Sequence, residues 1–282
     1  MTEVPLTAIV AKNPIDAELN RSSQRSRRLR QRDLVLGIAT PVILLVLWQI
    51  ASSTGLIDAK IFTPPTTIFS TAITLIHNGV LTHDLGITSL RLVVGFVLGG
   101  AAGIVVGILL GIFRTLRAAF SPLFSALYAV PQIAVLPLLL VIFGIGETPK
   151  ILTVAAVSFF VLEINAMAGV RSIDPQLIEA GRAYGARGRR LFWHVLIPGT
   201  LPAIFTGLRV AAALALVVVT ATEFVAANSG LGYLVWNSWQ LFEPNEMYVG
   251  LITIALVGVI LTGIVELVAR RVMPWSRRNA RD

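Results

Sequence analysis

From residue 34 onward the sequence alternates long apolar runs with short polar segments. A helix needs roughly 20 mostly apolar residues to cross a hydrocarbon layer about 30 Å thick. Six runs are long enough, at Leu34–Ala51, Thr88–Phe113, Ala119–Phe143, Ile151–Val170, Leu201–Ala227 and Met247–Ala269. Within lipid a single segment satisfies its backbone hydrogen bonds only as a helix, and these runs are too long for barrel strands. The pattern therefore predicts an all-α membrane protein with six transmembrane helices.

Polar segments frame this membrane domain at both ends. Residues 1–33 end in the basic run RSSQRSRRLRQRD and are predicted to form a cytoplasmic tail. The first apolar run begins only at Leu34 and no A-x-A-like cleavage site follows it, so we expect a retained span and not a signal peptide. Residues 34–275 then form the membrane domain, which includes a cytoplasmic loop at 171–199, and residues 276–282 form a short cytoplasmic tail.

The composition excludes several other classes of protein. Hydrophobic residues make up 55% of the 282 residues and charged residues 13%, which does not fit an ordinary water-soluble surface. The net charge of +8 would suggest nucleic-acid binding in a soluble protein, but the arginines cluster beside apolar runs, so we expect them to face anionic lipid. The chain has no cysteine and its three histidines are scattered, so neither a disulfide nor a metal site is predicted.

The positions of lysine and arginine predict the orientation of the spans. Of the 23 such residues, 19 fall in the N-terminal tail, in the loops after the second and fourth runs, and at the C-terminus. The opposite loops hold only Lys60 and Lys150, with Arg91 and Arg209 near helix ends. The positive-inside rule then places both termini in the cytoplasm, as an even number of spans requires. The predicted location is the inner, cytoplasmic membrane.

Two of the runs carry residues that shape helix packing. The second has a glycine at every fourth position from Gly95 to Gly111, a stripe that lets another helix approach closely. Packing within the chain explains this stripe, and a role in substrate passage is the alternative. The third run contains Pro122, Pro131 and Pro137, which remove backbone donors and are expected to kink or interrupt the helix.

The segment between the fourth and fifth runs departs from the lipid-driven pattern. Asp174 is a good N-cap, Pro175 suits the first helical position, and Gly185 can end the helix in the left-handed conformation. A second short helix is predicted over about 189–196, with Pro198 and Pro202 ending it before the fifth span. Such a hairpin either lies on the lipid headgroups or docks its first helix into a groove on a partner.

The residues of this segment carry a family resemblance. Glu179, Ala180 and Gly181, then Gly185, then IPGTLP ending at Pro202, resemble the EAA loop of importer permeases in the ATP-binding-cassette superfamily. The family more often has Ala at the position of Gly181, and this small-for-small change is expected to leave the docking face open. FTPPTTIF, YAVPQIAVLPLLLVIFGIGETPKI and TEFVAANSGLGYLV look like the nitrate, sulfonate and taurine branch, so the resemblance covers nearly the whole chain after the tail.

The resemblance implies a type I importer permease fold and a transport role without enzymatic activity in this chain. A homodimer of the permease would bind two cytoplasmic ATPase subunits, which hold ATP and Mg²⁺, so no cofactor is expected in the chain itself. An extracytoplasmic binding protein would deliver a small anionic solute of the nitrate, sulfonate or taurine type. ATP binding would close the ATPase pair and turn the permease from inward-facing to outward-facing, and hydrolysis would reset it.

The resemblance also implies which residues couple the permease to the ATPase. Glu179 and Ala180 would lie in the ATPase groove, with Gly185 as the turn behind them. Arg182 and Arg187 either contact ATPase carboxylates or serve as solvated topology signals. The implied coupling residues are Glu179, Ala180, Gly181, Arg182, Gly185, Ile197, Pro198 and Pro202.

Four polar residues inside the apolar runs are candidates for the translocation pathway, because a polar group in lipid needs a partner or a cavity. Glu163, close to Asn165, stands where the family usually has an apolar residue, and it either tunes the pathway or pairs with an arginine near the cytoplasmic end. Gln132 lies beside Pro131 at the expected break. Glu223 resembles a recurrent family position and either lines an outer gate or caps the turn that follows.

An ion-gradient-driven secondary transporter is the alternative from a different class. Such a protein would be expected to carry several membrane-buried carboxylates and usually more spans. The chain lacks a G-x-x-x-x-G-K-[ST] motif, so the importer interpretation requires ATP to bind a separate subunit. A channel or a membrane enzyme fits less well, since no filter-like repeat, H-E-x-x-H motif or nucleophile elbow is present.

Overall fold

The computed structural model describes residues 32, 35–37 and 39–277. The predicted tails, residues 1–33 and 276–282, lie almost wholly outside these residues, so their predictions stay untested. Every regular element among the described residues is helical. The chain separates into two compact units, one ending at Thr66 and the other covering residues 67–282.

In the part of the first unit that the structure describes, the apolar helix is α1, at Val35–Ser53. Two side-chain hydrogen bonds hold the turn that follows it. The Ser52 hydroxyl donates to the carbonyl of Phe62 at 2.7 Å, and the backbone N–H of Thr66 donates to Oε1 of Gln49 at 3.1 Å. Most large apolar side chains of α1 are exposed, as expected for a helix whose solvent is lipid.

The remaining helices follow in chain order. They are α2 (Pro65–His77), α3 (Val80–Ile112), α4 (Arg114–Ala129), α5 (Leu136–Phe143), α6 (Glu147–Arg171), α7 (Pro175–Ala183), α8 (Arg189–Leu191), α9 (Ile197–Ala226), α10 (Leu231–Gln240) and α11 (Pro244–Val272). A 3-10 turn at Gln132–Val135 joins α4 to α5, and a π-helical turn at Phe192–Leu196 joins α8 to α9. A last 3-10 turn covers Pro274–Arg277.

Five of these helices are long and apolar enough to cross a membrane: α1, α3, α6, the continuous helix Arg189–Ala226, and α11. The pair Arg114–Ala129 and Gln132–Phe143 qualifies together as a sixth span, although it is bent by 88°. The six predicted runs correspond to these six elements. Helix α3 begins at Val80, earlier than the predicted Thr88, because its polar first turns find hydrogen-bond partners inside the protein.

Only one of the three prolines in the third run coincides with a break. The chain stays helical through Pro122, and Pro137 falls in the first turn of α5, where the missing N–H is tolerated. The break lies at Val130, whose ψ of 127° is the extended conformation that a following proline favours. Pro131 therefore accounts for the bend between α4 and α5.

Helices α3, α6 and α9 build the core of the larger unit. Its buried residues are Leu92 of α3, Val154, Val157, Val161 and Leu162 of α6, and Ala211, Ala215 and Val219 of α9. Helix α4, in contrast, buries no residue, and α11 keeps most of its apolar side chains exposed. The larger unit thus presents apolar residues both inside and outside, which is typical of a protein embedded in lipid.

The glycine stripe of α3 packs directly against the backbone of α6. A Cβ atom at Gly95 would lie 2.8 Å from the carbonyl oxygen of Ile151. Cβ atoms at the next three stripe positions would overlap α6 carbonyls, Gly99 at Ala155, Gly103 at Phe159 and Gly107 at Glu163. Contacts advance along both helices together, so α3 and α6 run parallel and in register. This geometry assigns the stripe to packing within the chain.

Two helices were not predicted from the sequence. Helix α2 has 13 residues, too few for a span, and α10 has 10. The first turn of α10 is held by side chains of two other helices, α3 and α9. The N–H of Leu231 donates to the Thr88 hydroxyl at 2.8 Å, and the N–H of Gly232 donates to Oε2 of Glu223 at 2.8 Å. Because the Thr88 bond joins residues far apart in the sequence, local sequence patterns alone do not predict the helix.

The glycine contact predicts a strong difference between two alanine substitutions on α3. Gly99→Ala should lower the free energy of unfolding by about 1–3 kcal/mol or more, because its Cβ would overlap the Ala155 carbonyl. Gly86→Ala is the matched control, since nothing lies within 4 Å of its Cβ position. It should be neutral or raise stability slightly. Thermal unfolding of the detergent-solubilised protein measures both, and equal midpoints for the two variants would contradict the packing.

Candidate functional site

The segment between α6 and α9 folds as a helical hairpin, called here the hairpin loop (residues 171–199). Helix α7 begins as the sequence predicted: Oδ1 of Asp174 accepts a hydrogen bond from the N–H of Gln176 at 2.8 Å, and Pro175 opens the helix. The carboxylate at this end satisfies one free backbone donor and faces the positive end of the helix dipole. The start of α7 is therefore fixed locally.

The end of α7 is a Schellman motif around Gly185. The N–H of Ala186 donates to the carbonyl of Gly181 at 2.9 Å, and the N–H of Gly185 donates to that of Arg182 at 2.9 Å. Gly185 has a φ of +82°, which residues with a side chain rarely adopt. A glycine at this position therefore sets the direction in which the chain leaves α7.

The second half of the hairpin loop differs from the prediction. Pro198 and Pro202 do not end the second helix, because the chain is helical without interruption from Arg189 to Ala226. A π-helical turn at Phe192–Leu196 ends two residues before Pro198 and accommodates the missing proline N–H. The hairpin loop and the fifth span consequently share one continuous helix.

Gly181 lies on the packed side of α7. A Cβ atom there would lie 3.0 Å from Cγ2 of Val195 and 3.3 Å from Cδ1 of Leu191. Gly181 therefore does not itself form the exposed side of α7, and the expectation that it leaves a docking face open stays a prediction. Its small size instead lets α7 pack closely on the π-helical turn and α8.

The other predicted coupling residues are mostly exposed. Glu179, Ala180, Arg182 and Gly185 are exposed, and so is Pro202, while Ile197 and Pro198 are half-buried. Three large side chains that were not among the predicted coupling residues are also exposed in the hairpin loop: Leu177 of α7, its C-cap residue Tyr184, and Trp193. An outward-facing pattern of this kind gives the hairpin loop a surface available to another molecule.

Gln132 lies in the break between α4 and α5, as expected. Its side-chain N–H₂ donates to the carbonyl of Val130 at 3.0 Å and weakly to that of Leu127 at 3.4 Å. These carbonyls lie at the end of α4, where the bend removes their helical partners. The amide thus stabilises the bend and stays half-buried.

Glu163 and Asn165 lie at helix contacts inside the chain. Glu163 is only 1% exposed, and its Oε1 atom has no hydrogen-bond partner among the described residues. Its predicted pairing with an arginine is therefore not seen in this structure. Asn165 donates to the carbonyl of Val161 at 2.7 Å, and its Cβ lies 2.6 Å from the position of a Cβ at Gly207. Asn165 thus packs at the crossing of α6 and α9.

Glu223 belongs to a cluster of charges, called here the ion network (Arg91, Glu147, Lys150 and Glu223), in which only Glu147 is partly exposed. Nη1 of Arg91 donates to Oε1 of Glu223 at 2.7 Å, and both side chains are 0% exposed. Nη2 of Arg91 donates to Oε1 of Glu147 at 2.8 Å, and Nζ of Lys150 donates to the same oxygen at 2.9 Å. The network links α3, α6 and α9 at one end of the bundle.

Neutral groups complete the hydrogen bonds of the ion network. The Thr88 hydroxyl lies 2.9 Å and 3.0 Å from the two oxygens of Glu223, and Nη1 of Arg91 also donates to the carbonyl of Ser229 at 2.8 Å. Asp84 accepts from the N–H of Gly230 at 2.8 Å. Glu223 therefore caps the turn before α10, and its charge is compensated within the chain.

Most of this network was not predicted from the sequence. Arg91 was expected only near a helix end, and Asp84, Thr88 and Glu147 were not among the candidate residues. A usable signal was present, since charged residues beside apolar runs need partners and both signs occur on these segments. Which charges meet depends on the parallel pairing of α3 and α6, and sequence spacing does not reveal that pairing.

The fold and the hairpin loop define a polytopic helical membrane protein with an exposed, well-ordered loop between two spans. Residues 103–274 match the family described as binding-protein-dependent transport system inner membrane component. The chain belongs to this family of transport permeases.

Permeases named for several different solutes are similar to the chain over most of its length. The putative aliphatic sulfonates transport permease protein SsuC of Escherichia coli (strain K12) is 38% identical, covering 84% of this chain and 90% of the relative. The taurine transport system permease protein TauC of the same organism is 31% identical, covering 89% and 94%. The riboflavin transport system permease protein RibX of Chloroflexus aurantiacus is 34% identical, covering 92% and 97%.

The fold also matches solved importer structures. The chain is similar to one from the inward-facing MetNI methionine ABC transporter, with a TM-score of 0.59 and 21% identity. The match covers 67% of this chain and 94% of that chain. It confirms the predicted type I importer permease fold.

Removal of one partner from the ion network should be strongly destabilising. Arg91→Met would leave the fully buried Glu223 without its guanidinium partner, and we expect a loss of about 3–5 kcal/mol in unfolding free energy. The double variant Arg91→Met/Glu223→Gln should recover part of this loss, because no carboxylate then remains unpaired at position 223. Thermal unfolding in detergent provides the measurement.

Glu266→Gln is the control, since it breaks the exposed pair between Glu266 and Arg270 on α11. It should leave the unfolding midpoint close to that of the parent. A double variant that is less stable than Arg91→Met alone would contradict the compensation argument.

Proposed function

We propose that this chain is the translocating subunit of an ATP-binding-cassette importer, coupled through its hairpin loop to a separate cytoplasmic ATPase. One observation carries the proposal: this member of a transport permease family exposes a helix, α7, that is capped at both ends and lies between two spans. A loop that served only to connect α6 and α9 would need neither the N-cap nor the Schellman motif. The order of this loop supports docking to a partner.

The proposed orientation has both termini in the cytoplasm. The hairpin loop carries five exposed arginines, Arg171, Arg182, Arg187, Arg189 and Arg190, which supports a cytoplasmic position. The ion network lies at the opposite end of α3, α6 and α9 from the hairpin loop. In this orientation the network faces the outer side of the membrane.

The proposed assembly contains a second copy of the chain, two ATPase subunits and an extracytoplasmic binding protein. Helix α4 buries no residue within the chain, and large apolar side chains of the bent pair such as Leu123 and Val141 are exposed. These surfaces suit contact with lipid and with a second copy. ATP and Mg²⁺ are assigned to the ATPase subunits.

Of the four pathway candidates, Gln132 is the one we retain. It lies at the bend between α4 and α5, where a broken helix brings polar backbone into the membrane region. Glu223 is fully compensated by the ion network, and Asn165 packs between two helices. Glu163 is enclosed, so a pathway role for it would require the helices around it to separate.

A small sulfonate-type anion is the proposed cargo. Relatives named for aliphatic sulfonates and for taurine support this class of solute. A relative named for riboflavin is also 34% identical, so identity alone does not determine the cargo. Binding of alkanesulfonates and taurine to the partner receptor, measured by calorimetry, tests the class.

Dependence on the ATPase separates this proposal from a gradient-driven transporter. Proteoliposomes containing the chain alone should show no uptake of taurine or an alkanesulfonate under a proton or sodium gradient. Uptake should appear when the ATPase and the binding protein are added with ATP, and should be absent with a non-hydrolysable analogue. Gradient-driven uptake by the chain alone would overturn the importer proposal.

Two substitutions test the coupling role of the hairpin loop. Glu179→Arg reverses an exposed charge on α7, and Gly185→Val places a β-branched residue at φ +82°, a local cost of roughly 1–2 kcal/mol. Both variants should insert normally but hydrolyse ATP with little uptake in the reconstituted complex. Gly79→Val is the matched control, because its φ of +77° and open surroundings give the same strain outside the hairpin loop. Normal uptake by both loop variants would argue against coupling.

A further inference from the structure

Helix α9 carries a cation whose charge is not neutralised within the described part of the chain. Arg209 was expected near a helix end, but it lies twelve residues after Ile197, the first residue of α9. Its side chain is exposed, and no hydrogen bond or ion pair within 4 Å joins it to another described residue. Arg91 and Lys150, by contrast, are paired in the ion network. Arg209 therefore needs a partner from outside the chain.

The nearest carboxylate to act on Arg209 is already paired. Glu266 of α11 attracts Arg209 electrostatically, but it forms its ion pair with Arg270. The three side chains together keep a net positive charge. An arginine does not lose its proton in a protein, so this charge has to be balanced by an anion.

The contacts between α6 and α9 show how the two helices are aligned. A Cβ atom at Gly169 would lie 2.7 Å from that of Ala203, and a Cβ atom at Gly207 would lie 2.6 Å from that of Asn165. The contacts advance along α9 while they recede along α6, so the two helices are antiparallel. Arg209, two residues after Gly207, is consequently level with the residue two before Asn165.

This alignment places Arg209 inside the hydrocarbon layer. The level of Arg209 is that of Glu163, eight residues or about 12 Å from Arg171 at the hairpin-loop end of α6. In the other direction Glu223 of the ion network is fourteen residues or about 21 Å away. The two distances together are close to the thickness of a bilayer core, about 30 Å. Charged residues at such a depth face a water-filled cavity or a ligand.

The exposed side of α9 around Arg209 is less apolar than a surface made for lipid. Thr206 and Ala213, three residues before and four after, share the face of Arg209 and are exposed, together with Val210. The exposed face of α11 instead carries large apolar side chains such as Leu256. A face of small and polar residues around one guanidinium suits a water-lined passage.

We propose that Arg209 lines the translocation pathway and holds the anionic group of the solute as it passes through the membrane. The proposal rests on the proposed function and names the residue that recognises the charge of the cargo. A guanidinium donates two parallel hydrogen bonds to the oxygens of a sulfonate or another oxyanion, and arginine or lysine lines anion-selective pores. Helix α9 also contacts the 3-10 turn that carries Gln132, so both pathway residues belong to neighbouring elements.

A lipid phosphate is the competing anion for Arg209. Side chains of a helix lean toward its N-terminus, here the hairpin-loop end, so the guanidinium points toward the cytoplasmic headgroups. Arg270 and Arg271, in the last turn of α11, lie closer to those headgroups. A phosphate would have to move toward the bilayer centre to reach Arg209, whereas a solute in the pathway passes this level in any case.

ATP-dependent uptake of taurine and of an alkanesulfonate by the complete complex in proteoliposomes tests this role. Arg209→Gln should lower uptake about tenfold or more, because the anion loses a charged hydrogen-bond partner. Arg209→Lys should retain more uptake, since it keeps the charge without the planar fork. Arg271→Gln removes an exposed arginine at the end of α11 and is the matched control, expected to transport as the parent does. Equal thermal midpoints verify that the variants fold.

Chemical modification tests the charge itself, because the chain contains no cysteine of its own. Arg209→Cys, assembled with cysteine-free partner subunits in proteoliposomes, is treated with a methanethiosulfonate carrying either a trimethylammonium or a sulfonate group. The cationic reagent should restore uptake toward that of Arg209→Lys, and the anionic reagent should not. A purely structural role for Arg209 would not distinguish the two charges.

Several results would overturn the proposal. Uptake by Arg209→Gln equal to that of the parent, or equal effects of the two reagents on Arg209→Cys, would show that the charge does not serve the solute. A cysteine at 209 that reacts in detergent but not in bilayers faces lipid, and one that reacts in neither is covered by protein. A parent complex without ATP-dependent uptake of either sulfonate would instead refute the proposed function.

Discussion

The fold depends on the direct contact of the α3 and α6 backbones. Lipid offers no hydrophobic drive to bring two apolar helices together, so their association rests on dispersion and close fit. Glycines at every fourth position of α3 remove the side chains that would keep the helices apart. Once this parallel pair is formed, α9 packs against it to complete the core, and α4 and α11 are left with surfaces for lipid or another subunit.

Parallel pairing also explains where the charges of the bundle lie. It brings the N-terminal parts of α3 and α6 to the same end, so that Arg91 meets Glu147, and the end of α9 adds Glu223. Buried ion pairs add little net stability, but breaking one is costly because a charge is left unpaired. The ion network therefore specifies one arrangement of three helices and orders the turn that starts α10.

The sequence predicts features that depend on neighbouring residues and misses those that depend on distant ones. Apolar length predicts the six spans, and Asp174 and Gly185 predict the limits of α7, because both caps act within a few residues. Helix continuity past Pro198 was not predictable, since a π-helical turn is an adjustment between packed elements. The pairing of Arg91 with Glu223 and the packing of Gly181 on Val195 likewise require three-dimensional proximity.

The unbroken helix from Arg189 to Ala226 connects the hairpin loop directly to the ion network. The helix begins in the hairpin loop, and Glu223 near its other end belongs to the ion network. At about 1.5 Å per residue, the distance between these ends is roughly 50 Å. If the helix tilted by about 10° around its first residues, its other end would move by roughly 9 Å. The π-helical turn at Phe192–Leu196 lies near the start of this helix and is the point about which such a tilt would occur. A small rotation at the hairpin loop would thereby become a larger displacement at the ion network.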